Sequence, residues 1–279
     1  MKKILSIILI TTMLCCIFTA CSAEKYVHEG TCGTCTWTID DNGLLTIKPT
    51  KGNSGSLESN ASNIAEHWPW SQYGDTVMAV EIKNGVSITG NAAYMFYNLI
   101  NCATLDVGEL DVSKAVDMTS MFSRTGINPK DFKIIGLDSW NVSSVQCMAH
   151  MFEGSGLLSE TYDIGTLKSW KTSSLTDASA MFTQAALKSS NFNIDASSWD
   201  MSNVESIAYI FASTGTAASD WSVGDLSEWN TSKMLFMGGA FSNIAIQYTL
   251  DLSNWDISSI QDYTDFNANV EDKVISPFK

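Results

Sequence analysis

Few residues in this 279-residue chain are of the kinds that do chemistry, and their spacing is poor for it. Histidine occurs three times, at His28, His67 and His150, in three different regions. His150 stands at a repeat position filled elsewhere by Tyr94, Ser120, Ala180 and Tyr209. A variant of a repeated surface position accounts for it more simply than a general base does. Aspartate and glutamate are spread along the chain without a distinct pair for acid–base work. No Gly-rich phosphate loop, GxSxG or HExxH motif is present. The expectation is a protein that is not an enzyme.

The chain has seven cysteines. Cys32-Gly33-Thr34-Cys35 is a lone CxxC. A zinc site would need a second such pair or two nearby histidines. A redox role would need a βαβ setting, whereas these residues lead into a strand-like stretch. A local disulfide between Cys32 and Cys35, or two structural thiols, is expected instead, with no metal and no cofactor. Cys102 and Cys147 fall in different phases of the repeat described below and are not paired.

Sixteen lysines and arginines stand against thirty acids, for a formal charge of −14. That excludes a general nucleic-acid-binding surface. Only 16% of residues are charged, against 45% hydrophobic, which argues for a packed chain and against a disordered acidic one.

The first twenty residues carry Lys2 and Lys3, then an apolar run from Ile4 to Thr19. This pattern predicts a cleaved secretory signal over 1–20. No later stretch approaches the ~18 apolar residues needed to cross a bilayer. The run ends Phe18-Thr19-Ala20-Cys21, which resembles a bacterial lipobox, where cleavage leaves Cys21 as a lipidated first residue. Residues 21–31 are then expected to be a tether on a bacterial membrane surface. Several acyl chains would hold the protein there stably, where a single chain is marginal.

The elements that follow are repeats. Met-Phe or an equivalent recurs at Met95-Phe96, Met121-Phe122, Met151-Phe152, Met181-Phe182, Ile210-Phe211 and Ala240-Phe241. A second landmark keeps step with it, at Leu110, Trp140, Trp170, Trp199, Trp229 and Trp255. Two landmarks in register define a repeat of about thirty residues.

Each unit has three parts. A short alternating piece precedes Trp, as in Ile135-x-Leu137, Ile194-x-Ala196 and Leu250-x-Leu252, and predicts a strand. A polar turn follows Trp, where Asn, Asp and Ser bond nearby backbone. The third part, Val145, Met148, Met151 and Phe152, has the i, i+3, i+6, i+7 spacing of one face of a short helix. Such a unit cannot bury its own apolar face, so the units must stack. The expected fold is α/β: a leucine-rich-repeat-like solenoid of short strands and short helices over 80–266. The middle repeats carry about four extra residues after Met-Phe. These place Arg124–Lys133, Ser155–Tyr162 and Ala186–Phe192 on one edge, a candidate contact ridge.

The ends read as caps. Two alternating runs flank Asp41-Asn42-Gly43, a hairpin signal because Asn-Gly supplies positive φ. Residues 32–79 are therefore expected to form an N-terminal β-hairpin cap, with "TKGNSGSLESNAS" as a mobile loop. Residues 267–279 are expected to close the far end.

The segment from Cys32 to Phe96 resembles the N-terminal region of BspA-like bacterial surface proteins, through Trp-Thr-Ile-Asp, Asp-Asn-Gly, Leu-Thr-Ile, Pro69-Trp70 and Val-x-Ile-x-Asn-Gly-Val. The repeats resemble the Listeria-type surface-lipoprotein repeat of about 26 residues, with its Leu-Ser-x-Trp-Asp-x-Ser-x-Val and Met-Phe signature. The resemblance implies a surface-exposed, non-enzymatic protein, often adhesive. Partners are then expected to be the membrane through the lipid anchor, and an extracellular protein, matrix component or cell-surface ligand. The alternative is a carbohydrate-binding surface module that uses the repeated Trp positions as a stacking platform; buried core rings are the competing account. Asn141, Asp200, Asn230 and Asp256 are better read as turn-formers than as calcium ligands, because Lys171 interrupts the series.

Overall fold

The structure is a computed structural model that describes residues 26–59 and 68–278. The N-terminal part is an antiparallel meander of β1 (Tyr26–Cys32), β2 (Cys35–Asp40) and β3 (Leu44–Pro49). Both its turns need a left-handed glycine. At the second, Gly43 has φ 79°, and a Cβ there would lie 2.4 Å from the Thr76 carbonyl. Asp40 Oδ1 accepts the N–H groups of Asn42 and Leu44 at 2.9 and 2.8 Å. The residues expected to be a tether are already β1 from Tyr26 onward, because their backbone pairs with β2.

The loop expected to be mobile holds β4 (Gly55–Leu57). This strand is fixed because it pairs in parallel with β6 (Val86–Asn91), which pairs in turn with β8 (Asp111–Asp117). From there the ladder continues as single parallel bridges: Asp117 to Cys147, Asp177, Ser206, Phe236 and Asp262.

A second parallel ladder starts where β3 meets β5 (Ala79–Ile82) and runs through β7 (Thr104–Asp106), β9 (Asp131–Ile135) and β10 (Thr161–Asp163). The later coils supply the pairs β11 (Asn191–Asn193) with β12 (Asp220–Ser222), and β13 (Leu250–Asp251) with β14 (Val274–Ile275). β9 and β11 begin earlier than the sequence pattern suggested, whereas β13 begins at Leu250 as expected. Buried at β9, β10 and β11 are Phe132 and Ile134, Tyr162 and Ile164, Phe192 and Ile194, whereas Ile135 is exposed. Alternation cannot tell a strand from the turn that extends it, so the aromatic was missed as the anchor.

The third side of each coil corrects the expected short helices. The described residues contain no α-helix, only 3₁₀ turns at Ser71–Tyr73 and Leu137–Ser139. In their place runs a chain of turns. Met151, Glu153 and Ser155 donate their N–H to the carbonyls three residues back, at 3.0–3.2 Å. Met148, His150, Phe152 and Gly154, between them, donate instead to Asp177, Ser179, Met181 and Thr183 of the next coil, at 2.8–2.9 Å. A helix would have kept these bonds to itself and left the coils unlinked. The alternation needs left-handed residues at every fourth position, such as His150 and Gly154, Ala180 and Gln184, Tyr209 and Ser213. Spacing of apolar residues alone does not distinguish this from one helical face, because both put residues three or four apart on the same side.

Three stacks fill the interior. Phe96, Phe122, Phe152, Phe182, Phe211 and Phe241 lie 5.1–5.7 Å apart from coil to coil, and Phe266 closes the row. Phe132, Tyr162 and Phe192 stack at 5.0 and 5.3 Å under the strand ladder. Trp170, Trp199, Trp229 and Trp255 stack at the corner, 5.7–6.5 Å apart. Burying one such ring contributes about 1.5–3 kcal/mol, and a good ring pair about 0.5–1.5 kcal/mol more.

The turn ladder has a direction: its carbonyls face the N-terminal end. In the first coil no earlier turn run can satisfy them. The cap supplies Trp68 and Trp70, whose indoles donate to the carbonyls of Ala93 and Met95 at 2.8 and 2.7 Å. At the far end, Tyr263 stacks on Phe278 at 3.9 Å and Asn267 Nδ2 donates to the Val274 carbonyl.

Candidate functional site

The expected site residues are not brought together. Cys21, its signal segment and His67 lie outside the described residues. Cys32 and Cys35 face each other across the first hairpin turn as buried thiols. Cys32 Sγ donates to the Glu58 carbonyl at 3.2 Å. Burial pushes both thiols up, Cys35 to about 11, which keeps them protonated and poorly nucleophilic. His28 stacks on Tyr73 at 3.8 Å. No group of metal-ligating side chains occurs among the described residues. No described helix is long and apolar enough to cross a membrane.

The five repeated tryptophans are between 0% and 5% exposed. The rings offer no face to a sugar, so the proposed stacking platform is corrected to a structural ladder. Each indole donates to a carbonyl of the preceding coil: Trp140 to Val107, Trp170 to Leu137, Trp199 to Leu167, Trp229 to Ala196 and Trp255 to Leu226, at 2.7–3.1 Å. The residues after Trp close turns as expected. Asn141, Asp200, Asn230 and Asp256 accept the N–H two residues on, at 2.9–3.2 Å.

The segments expected to form a ridge are woven into the stack. Gly156 and Leu158 donate N–H to Thr125 and Ile127, and Ala186 donates to Ser155. Their buried hydroxyls point inward, as in Ser155 Oγ to Tyr162 Oη at 2.8 Å. Of these segments, Arg124, Ile127 and Leu157 line the open surface of the turn run, whereas Ser155 and Ala186 are fully buried.

That surface carries a cleft of about 400 Å³, lined by side chains of four successive coils. Tyr94 and Tyr97 come from the first, Arg124 and Ile127 from the second, His150, Glu153 and Leu157 from the third, and Gln184 from the fourth. Tyr94 and Tyr97 meet edge to face at 5.7 Å. Arg124 Nε donates to Asn98 Oδ1 at 3.2 Å. His150 Nδ1 and Glu153 Oε2 lie 2.8 Å apart. The hydrogen bond to Glu153 holds the imidazole above its ordinary pKa, against burial, which lowers it.

Sequence reasoning placed Arg124, Ile127 and Leu157 in the expected ridge but did not single out Arg124 and missed the tyrosines as its neighbours. One signal was available: Arg124 is the single arginine of the chain.

The family comparison rests on the repeat region. The family model described as "Mycoplasma protein of unknown function, DUF285" matches residues 90–222 and, in a second overlapping match, 160–274. The chain belongs to this family. Those residues are the coils built from the Phe and Trp stacks, and the DUF285 region also contains the cleft. Among solved structures, the chain is similar to a leucine-rich repeat protein from Eubacterium ventriosum ATCC 27560, at 12% identity over 88% of this chain and 77% of that one, with a TM-score of 0.33. No curated protein matches the chain.

Proposed function

We propose that this DUF285 protein is a non-enzymatic interaction module of the bacterial cell surface, anchored by lipid at Cys21. Its contact surface is the turn face of the solenoid, and its partner is an extracellular protein, a matrix component or a cell-surface ligand. The observation that carries the reading is the contrast between an inward and a left-handed position of the turn run. Inward, Phe repeats in every coil from Phe96 to Phe241. One left-handed position of the same run reads Tyr94, Ser120, His150, Ala180, Tyr209 and Gly239; Tyr209 is exposed and Tyr94 and His150 are half-buried, while Ser120, Ala180 and Gly239 are buried. A uniform scaffold that displays non-uniform side chains is the arrangement by which solenoids recognise partners. The lipobox-like Phe18-Thr19-Ala20-Cys21 and the resemblance to BspA-like and Listeria-type surface proteins support the location.

Two experiments test this. Cys21→Ser should release the protein from the membrane fraction with a changed mass; a variant that stays membrane-bound at unchanged mass refutes the anchor. The purified protein should bind members of a panel of matrix proteins and surface glycans. Tyr209→Ser, which alters the face without touching the core, should weaken that binding. A panel without any ligand, or full binding by the variant, refutes the turn face as the contact surface.

A further inference from the structure

The geometry points to a binding site for a carboxylate-bearing sugar, a uronic or sialic acid at the end of a glycan, held by Arg124. The inference rests on the turn face being the contact surface and names the ligand class of that face.

Arg124 is the only arginine in a chain of charge −14. Among the described residues Lys83, Lys130 and Lys168 pair with carboxylates, while the other described lysines, like Arg124, do not. Among the described residues no carboxylate lies within ion-pair distance of Arg124. Its side chain is exposed and lines the cleft. Asn98 takes the Nε–H, which fixes the guanidinium plane. The outer edge of that plane is the fork that matches a carboxylate with two parallel hydrogen bonds.

The surroundings suit a sugar better than a peptide end. Tyr94 and Tyr97 set half-buried aromatic surface and polar hydroxyls at one side of the cleft. Rings with one apolar face and one polar tip suit a molecule that alternates C–H and hydroxyl edges. A cleft of about 400 Å³ is at the small end of ligand pockets. The opposing charge in the cleft, Glu153, is engaged by His150 at 2.8 Å. The net charge sets a further limit. A long polyanion would be repelled by the molecule as a whole, so the site selects a single terminal carboxylate.

The test uses the purified protein, titrated by ligand-observed NMR and calorimetry with glucuronate, N-acetylneuraminate, glucose and acetyl-Ala-Ala. The acidic sugars should bind at least about ten-fold more tightly than glucose, the worth of a charged hydrogen-bonded pair. Acetyl-Ala-Ala should bind more weakly than either acid sugar. Arg124→Gln should lose about ten-fold or more of the acid-sugar affinity. That variant keeps the fold, because Gln184 already fills the same position with φ 57°; an unchanged melting curve confirms it. Arg124→Lys should retain part of the binding. Equal binding of glucose, unchanged binding by Arg124→Gln, tighter binding of acetyl-Ala-Ala, or no binding of any probe overturns the inference. Panel ligands that Arg124→Gln still binds and Tyr209→Ser does not would leave the turn-face reading standing while the sugar site falls.

Discussion

The indole N–H of Trp199 and the backbone N–H of Trp170 converge on one acceptor, the carbonyl of Leu167, both at 3.1 Å. The same pairing recurs one coil on, where Ala196 accepts from Trp199 N–H and Trp229 Nε1. Each corner carbonyl thus closes its own turn and receives the next coil's ring. The core and the spacing of the coils are set by the same residue.

Trp199→Phe should therefore cost about 2–4 kcal/mol, part from the lost hydrogen bond and part from the space left beside Trp170 and Trp229. Trp221→Phe should cost clearly less. Trp221 replaces the Phe of earlier coils, and its Nε1 is buried without a partner, so its removal relieves a penalty. Denaturant melts of the two variants decide this. Equal losses would show that the indole bond contributes nothing.

Gly215 has φ 57°, and a Cβ there would lie 2.3 Å from Trp221 Cδ1. Gly215→Ala should destabilise by about 2–4 kcal/mol, combining left-handed strain with the clash. Ala186 occupies the same position one coil earlier, at φ 53°. Ala186→Gly should be close to neutral, since relieved strain offsets the lost buried methyl. Thermal denaturation of both variants checks the contrast.

The acidity of the chain is used in its turns. Asp200 and Asp256 are held below the usual carboxylate range by the hydroxyls and N–H groups of Ser202 and Ser258. A depressed folded pKa means the unfolded chain binds protons more readily. The stabilisation is present above about pH 3.8 and is lost as pH falls through the folded values. Asp200→Asn should make the acid limb of a pH–stability curve shallower while keeping the turn, as Asn141 and Asn230 do in their coils. An unchanged limb would show that Asp200 does not contribute.

Cys102 is fully buried, and burial pushes its thiol up to about 12. Its folded pKa is raised, so the stability it lends is complete below about pH 9 and declines as pH rises toward 12. Native protein should resist alkylation of Cys102 at pH 8, and denatured protein should react at once. Mass spectrometry of the labelled chain reads this directly. Rapid native labelling would contradict the buried, neutral thiol.

The repeat was legible because Phe and Trp recur in register, and large rings at fixed spacing must stack once neighbouring coils exclude water. The turns after Trp were legible because Asn, Asp and Ser bond their own backbone within two residues. The third side of the coil was misread. Val145, Met148, Met151 and Phe152 have helical spacing, but His150 and Gly154 are left-handed, and nothing in their residue types says so. The loop containing Gly55–Leu57 was misread for the same reason: its partner, β6, lies some thirty residues away.

Of the cleft around Arg124, only the segments holding Arg124, Ile127 and Leu157 were legible, as an expected ridge. The cleft's residues span Tyr94 to Gln184 and meet only because coils of about thirty residues stack in register. Local sequence determined what each position is: a ring for the stack, a short polar side chain for a turn, an odd arginine on the outside. Tertiary structure alone decided where the backbone hydrogen bonds go. In the turn run every second N–H has no acceptor within its own segment and must find one in the next coil. That requirement, which no single repeat can express, turns helix-like spacing into a solenoid and gathers four coils around one guanidinium.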